Sequence, residues 1–295
     1  MAWRAQVKEL VTRALLPSGA EGLVNVGKTK SYEASQILCW PDVMYTSEKD
    51  PCLQVDVFVP GEAVVPFPRS PTPVLLMLHG GGFKLGSRKL PSIVKFSEMC
   101  AETHGITVMS AGYRMGASVS LQEQIADVTK AVCWVRANAA SFGGDPDQVF
   151  VAGHSAGAFL AMHAGLAFRD GGVRGIIGVS GIYDLENLSS MVPRVGPAYV
   201  SRVVGTDAPA SRFALANSSR LAAYKERMLL LMPQNELPLL KGDAFAIFNS
   251  PRRAKCTLEE IRDCNHWSII TQPATAALTA AFVRNELHAP RKSRR

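Results

Sequence analysis

Two glycine-rich clusters in this chain carry residue types that could do chemistry. One is Gly153-His154-Ser155-Ala156-Gly157. Small residues around a serine suit a tight strand-to-helix turn, because they let the two backbones approach while the hydroxyl projects outward. Beside a base, such a hydroxyl is a nucleophile for acyl transfer. The other cluster is His79-Gly80-Gly81-Gly82-Phe83. Consecutive glycines leave amides uncovered, so those of Gly81 and Gly82, with that of Ala156 as a third, could donate to an oxyanion forming on a substrate carbonyl. Taken alone, a Gly-x-Ser-x-Gly stretch is a common accident and a glycine run is a plain turn. The order of the two, with the glycine run roughly 75 residues ahead of the serine, favours function.

Strands must deliver both clusters, and the flanking patterns supply them. Val55, Val57 and Val59 alternate with Asp56 and Phe58, as in a strand. Pro60-Gly61 ends it, and a Pro-rich connection runs to Pro73. Val74–Leu78 is a continuous apolar run of the kind buried on both faces, and it leads into His79. Pro91–His104 reads as a helix capped by Gly105, and Ile106–Ser110 as a strand. Leu121, Ile125, Val128, Val132 and Val135 recur at helical spacing. After a turn at Gly143-Gly144-Asp145-Pro146, Gln148–Ala152 forms the strand before the serine cluster, and a helix starts directly after Ser155. Val173–Val179 and Arg227–Met232 read as buried strands, Thr257–Ile261 as a shorter one, and Pro273–Leu287 as the last helix.

This alternation predicts an α/β fold: a doubly wound, mostly parallel sheet with helices on both faces. Such sheets bind ligands beyond the carboxyl ends of their strands. Residues 185–226 form a long irregular insertion, read as a lid. Residues 1–50 carry weak signals and are read as an N-terminal extension that could join the lid. Residues 51–290 are read as the main domain and 291–295 as a basic tail.

His-Gly-Gly-Gly-Phe, then Gly-Gly-Asp-Pro-Asp-Gln, then Gly-His-Ser-Ala-Gly resembles the hormone-sensitive-lipase-like esterases of the α/β-hydrolase superfamily. Ser180-Gly181-Ile182-Tyr183-Asp184-Leu185 is similar to a segment of kynurenine formamidase and related carboxylesterases. The resemblance covers roughly residues 54–270. It implies the α/β-hydrolase fold and a serine carboxylesterase or arylformamidase without metal or organic cofactor.

The resemblance also implies where the remaining groups stand. Its catalytic histidine lies near the C-terminus, where His266 precedes the last helix. Plainer roles suit the others. His79 braces the glycine loop, His104 ends a helix, and His154 lies inside the elbow. His163 lies in the following helix and His288 in the tail. The acid follows the Arg227–Met232 strand, where the family has Gly-x-x-Asp. Glu236 falls on that position, although the glycine is missing and the longer side chain needs a different loop. Asp243 is the main rival and Asp263 a second, and each of the three could be ordinary surface charge. Phe83, Leu85, Tyr183 and the insertion are candidate pocket walls or plain packing.

A chain of 295 residues, 47% hydrophobic and 19% charged, is long and apolar enough to fold around a core without staples. The net charge of +7 is concentrated in part at Arg291, Lys292, Arg294 and Arg295. That tail is a solvated end or a weak contact for an acidic partner or membrane surface. No basic stripe with interleaved aromatics occurs elsewhere, which argues against nucleic acid. No apolar run of about 18 residues is present, so no integral membrane segment is expected. Met1–Leu16 lacks the apolar core of a secretory signal. Its Arg4, Lys8 and Arg13 among Val7, Leu10, Val11 and Leu15 leave organelle targeting open, with Glu9 against it and a surface helix as the plainer reading.

Six cysteines without CxxC spacing are read as buried free thiols in a reducing compartment, the cytoplasm, and not as metal ligands. The sequence therefore points to cleavage of a small-molecule ester through an acyl-enzyme, with oligomeric state open. Hydrolysis of N-formylkynurenine is the first alternative. A non-catalytic ligand-binding protein on the same scaffold is the second, disfavoured because Ser155, His266 and the glycine run all stand.

Overall fold

Hydrophobic alternation in the strands sorts the core into two faces of one sheet. The computed structural model describes residues 37–61, 70–116, 118–168, 171–191, 196–204, 209–216, 218–250 and 255–285. Its strands are β1 (Ile37–Met44), β2 (Gln54–Pro60), β3 (Thr72–Leu78), β4 (Thr107–Ala111), β5 (Gly144–His154), β6 (Gly175–Val179), β7 (Arg227–Asn235) and β8 (Cys256–Asn265). They line up as β1-β2-β4-β3-β5-β6-β7-β8. The pairs β1–β2 and β2–β4 are antiparallel and all others parallel.

Helix α1 (Pro91–His104) links β3 to β4, α2 (Leu121–Asn138) links β4 to β5, and α3 (Ala156–Gly165) links β5 to β6. After the insertion and β7, α7 (Pro238–Asn249) leads to β8, and α8 (Pro273–Val283) closes the described chain. Along β3, Leu75 and Met77 pack with Ile93 and Phe96 of α1 and Ala276 and Ala280 of α8. Val74, Leu76 and Leu78 pack into the opposite cluster with Val128 and Val132 of α2 and Phe159 of α3. Side chains alternate faces at every residue of a strand, so a strand covered on both sides must be apolar throughout. Truncating Leu76 to alanine here would cost about 2–5 kcal/mol.

From β3 the chain crosses to β4 on one side and then back past β3 to β5 on the other. This reversal opens a crevice at the carboxyl ends of β3 and β5. The two glycine clusters lie there.

Four local expectations need correction. Residues 37–44, within the stretch read as weak, form an edge strand of the sheet. A register shift between Trp40 and Val43, with Asp42 at φ 61°, breaks the alternation that would have shown it. Strand β8 is twice the expected length, because Glu260, Arg262 and Asp263 face solvent on the opposite edge of the sheet and mask its pattern. The described residues of 185–226 are not irregular. They carry α4 (Leu185–Met191), α5 (Gly196–Val204) and α6 (Ser219–Ala223), with a short 3-10 turn at Ala210–Phe213. Cys133 is a free thiol, but it is exposed on α2, whereas Cys100 is a free thiol buried under α1.

The Met1–Leu16 segment, most of the Pro-rich connection, His288 and the basic tail lie outside the described residues. Among the described residues no cluster suited to a metal ion occurs, and no helix is long and apolar enough to cross a membrane.

Candidate active site

Four neighbouring strands each place one residue immediately beyond their carboxyl end. These are Ser155 after β5, Ser180 after β6, Glu236 after β7 and His266 after β8. Parallel register brings them together. His154 pairs with Val179, and Asn235 with Asn265, so the next residue of each strand emerges at the same edge. Backbone bonds extend the order past the strands: the Ser155 amide donates to Val179 O at 2.9 Å and the Ser180 amide to Leu231 O at 2.8 Å.

The imidazole of His266 sits at the centre. Its Nε2 lies 3.0 Å from Ser155 Oγ and its Nδ1 3.1 Å from Glu236 Oε1. Ser180 Oγ is 3.1 Å from the same Nδ1 and donates to the second oxygen of Glu236. The Leu237 amide donates to Glu236 Oε1 at 2.9 Å. Burial pushes the Glu236 carboxyl up, but the hydrogen bonds from His266, Ser180 and Leu237 outweigh it and hold the group below the ordinary glutamate range. An ionised carboxylate there favours the tautomer with the proton on Nδ1 of His266, which leaves Nε2 free to accept from Ser155. All four residues are buried. His154 Nε2 donates to the His266 carbonyl at 2.8 Å and fixes the backbone behind the ring. Burial lowers the His154 imidazole to about 4, so it stays a neutral donor.

The turn holding Ser155 is strained. Its φ is 53° and ψ −120°, a conformation that costs a non-glycine residue roughly 1–3 kcal/mol. A Cβ on Gly153 would overlap the backbone of Gly157, and one on Gly157 would overlap the carbonyl of His79. Both glycines are therefore required by contact. Ser180 also has positive φ, at 51°.

In the glycine loop, five successive carbonyls each receive a donor. Tyr113 Oη donates to His79 O at 2.9 Å, and His79 Nδ1 to Gly80 O at 2.8 Å. The Lys84 and Leu85 amides donate to Gly81 O at 3.2 and 2.9 Å. Tyr199 Oη donates to Gly82 O, and Gln124 Nε2 to Phe83 O at 2.7 Å. A trans peptide points its N–H opposite its C=O. Anchoring the carbonyls thus fixes where the amides of Gly81 and Gly82 point. Those two amides, and that of Ala156 at the start of α3, donate to no acceptor among the described residues. Burial lowers His79 to about 4, and its ring stacks on Tyr113 with centroids 4.4 Å apart.

The structure thus unites Ser155, His266 and Glu236, and sets the three candidate oxyanion donors on the two flanking turns. Asp243 does not reach His266. It accepts from the Tyr183 and Asp184 amides at 3.0 and 2.9 Å and from Asn187 Nδ2 at 3.0 Å, and so ties α7 to the start of α4. Asp263 is exposed on β8. Phe83 and Tyr183 are buried, with Phe83 edge-on to Phe159 at 5.4 Å, whereas Leu85 is 74% exposed. Sequence reasoning missed Ser180. Its signal was position: it is the first residue past the strand next to the elbow strand.

Residues 24–184, more than half of the chain, match the carboxylesterase family. The chain belongs to that family. The matched stretch includes both glycine clusters and ends before Glu236 and His266. Over 135 residues the chain is 34% identical to esterase LipC of Mycobacterium tuberculosis, covering 42% of this chain and 33% of that protein. Over 133 residues it is 35% identical to the para-nitrobenzyl esterase of Bacillus subtilis, covering 40% of this chain and 26% of that one. The aligned part thus spans a third or less of these curated relatives. Esterase B from Lactobacillus rhamnosis shares the fold with a TM-score of 0.73 at 19% identity, over 97% of this chain and 93% of that one. An esterase from Pyrobaculum calidifontis does so with a TM-score of 0.64 at 16% identity, over 96% and 90%. The expected α/β-hydrolase architecture is therefore the observed one.

Proposed function

We propose that this carboxylesterase-family protein hydrolyses a small carboxylic ester by two-step acyl transfer, with Ser155 as nucleophile, His266 as base and Glu236 as its orienting acid. The observation that carries the reading is the 3.0 Å approach of His266 Nε2 to Ser155 Oγ, with Nδ1 of the same ring on a carboxylate. His266 takes the Ser155 proton as Oγ bonds to the substrate carbonyl carbon. The negative charge moves to the carbonyl oxygen, where the amides of Gly81, Gly82 and Ala156 receive it. Collapse breaks the ester C–O bond, and the leaving alcohol takes the proton from His266. Water then attacks the acyl carbon with His266 again as base, releasing the acid and restoring Ser155.

Within the family, the two glycine motifs favour a hormone-sensitive-lipase-like esterase. The Ser180–Leu185 segment, similar to one of kynurenine formamidase and lying at the triad through Ser180, supports a second reading, hydrolysis of N-formylkynurenine. In both readings the 185–226 segment serves as the lid. Free thiols at Cys52, Cys100, Cys133 and Cys264 favour a reducing compartment such as the cytoplasm.

A fluorophosphonate probe should label Ser155 in the wild-type protein and leave Ser155→Ala unlabelled, with turnover of p-nitrophenyl butyrate lost in that variant. Full ester turnover by Ser155→Ala would end the proposal. An unlabelled wild type would favour the non-catalytic binding protein. Rates on N-formylkynurenine against short acyl esters separate the two enzyme readings.

A further inference from the structure

We infer that helix α5 of the insertion is a working part of the oxyanion site, with Tyr199 as a positioning residue for the glycine loop. This rests on the serine-hydrolase reading of Ser155 and deepens it.

Of the five anchored carbonyls in residues 79–83, only that of Gly82 is held from the insertion among the described residues. Tyr199, midway along α5, donates its hydroxyl to that oxygen. The same hydroxyl occupies the space beside Gly82, 2.6 Å from where a Cβ would stand. A second tether joins the same two elements: Lys84 Nζ donates to the Arg202 carbonyl in the last turn of α5 at 2.9 Å, and to Gly116 O at 3.1 Å. A cation at a helix C-terminus is favourably placed against exposed carbonyls.

Gly82 sits at φ 59° and needs an external partner to stay in one conformation, since glycine itself restrains little. Its nitrogen is one of the candidate oxyanion donors. The bond from Tyr199 fixes the peptide plane on the carboxyl side of Gly82, and the bonds to Gly81 O fix the plane on its amino side. The Gly82 N–H lies in the amino-side plane, and holding the carboxyl-side plane as well stops rotation at Gly82 from working against the bonds to Gly81 O. Without the bond from Tyr199, one of the two constraints is lost. The insertion therefore does more than cover the site, because its docking completes the alignment of a donor.

Tyr199→Phe in the full chain tests this. The hydroxyl goes and the ring stays. Turnover of p-nitrophenyl butyrate should fall about tenfold, with KM within about twofold, because a donor to the transition state is misaligned while ground-state binding is kept. Fluorophosphonate labelling of Ser155 should slow by a similar factor. Inhibition by a boronic acid that forms a tetrahedral adduct on Ser155 should weaken in parallel. Lys84→Met, which frees the same helix and leaves Tyr199 in place, should lower kcat in the same direction by less, and it serves if Tyr199→Phe fails to fold. Wild-type kcat and labelling rate in both variants would overturn the inference. So would a raised KM at unchanged kcat, which would make Tyr199 a substrate contact. A wild-type protein that the probe does not label would instead remove the serine-hydrolase reading beneath it.

Discussion

Beyond β5 to β8 the backbone register positions four side chains, whereas in residues 79–83 side chains from other elements position a run of backbone amides. The first arrangement needs little beyond the sheet, because hydrogen-bonded strands already fix where their ends lie. The second cannot use register. Its glycines are free to turn: Tyr199 of α5 holds Gly82, the loop's own His79, Lys84 and Leu85 hold Gly80 and Gly81, and donors from the β4 exit and α2 hold the flanking His79 and Phe83. The two regions should therefore fail differently. The strand-end group breaks when its reacting atoms change, and the loop breaks when a bracing group or its backbone changes.

The largest effect expected is at the strand ends. Glu236→Gln keeps the shape but loses the charge and can favour the wrong tautomer of His266, so kcat should fall about 10³–10⁴-fold with only a modest fall in melting temperature from the weakened hydrogen bonds. Loss of stability with little loss of kcat would show that Glu236 is structural. In the loop, Gly81→Ala would place a Cβ onto the Leu85 carbonyl at a φ of 128°. The amide should move, with a fall of about 10²–10³ in kcat and a measurable drop in melting temperature. An unperturbed kcat would remove Gly81 from the donor set.

A smaller effect is expected for Ser180→Ala. Glu236 then loses one of the hydrogen bonds that hold its carboxyl down. The acid-side shoulder of the kcat/KM profile where Glu236 takes up its proton should move toward higher pH, and kcat should fall about tenfold, the scale of one charge-assisted hydrogen bond. Ser180→Thr should restore part of the rate, and the same profile and kcat in all three proteins would leave Ser180 as packing only.

The smallest effect near neutrality comes from the buried histidines. His79 in the loop, His154 at the strand ends and His163 beneath the insertion are lowered by burial to about 4, 4 and 3. Each binds a proton more readily unfolded than folded. Their stabilisation is fully present above the unfolded value, about 6.5, and falls away as pH drops from there toward 4. With all three titrating, the slope approaches about 4 kcal/mol per pH unit. Urea unfolding from pH 8 to 4.5 should follow this course, and a stability constant over that range would contradict it.

Much of the site was legible because its chemistry is local in sequence. Gly153–Gly157 and His79–Phe83 declare themselves by composition, and the buried strands before them by continuous apolar runs. Glu236 and His266 were placed by resemblance and position. Asp243 competed only because sequence does not show that its oxygens are occupied by the amides of Tyr183 and Asp184. Ser180 stayed hidden because a lone serine after a strand carries no composition signal, and its meaning comes from the strand next door. Tyr199 and Gln124 act across 117 and 41 residues of chain, a separation that no local pattern encodes. The edge strands were hard to read for the opposite reason: β1 is broken by a bulge, and β8 turns charged residues to water.

Strand β1 supplies no reacting group, yet its Asp42 pairs with the buried guanidinium of Arg88, which also binds Asp56 at 3.1 Å and Gln54 at 2.7 Å. Arg88 closes the same loop that begins at His79. A protein trimmed to start at residue 51 would keep every residue proposed to react. It would also strip one counter-ion from that guanidinium and bare the edge of β2 to self-association. Anyone shortening this protein for crystallisation or display should leave β1 attached.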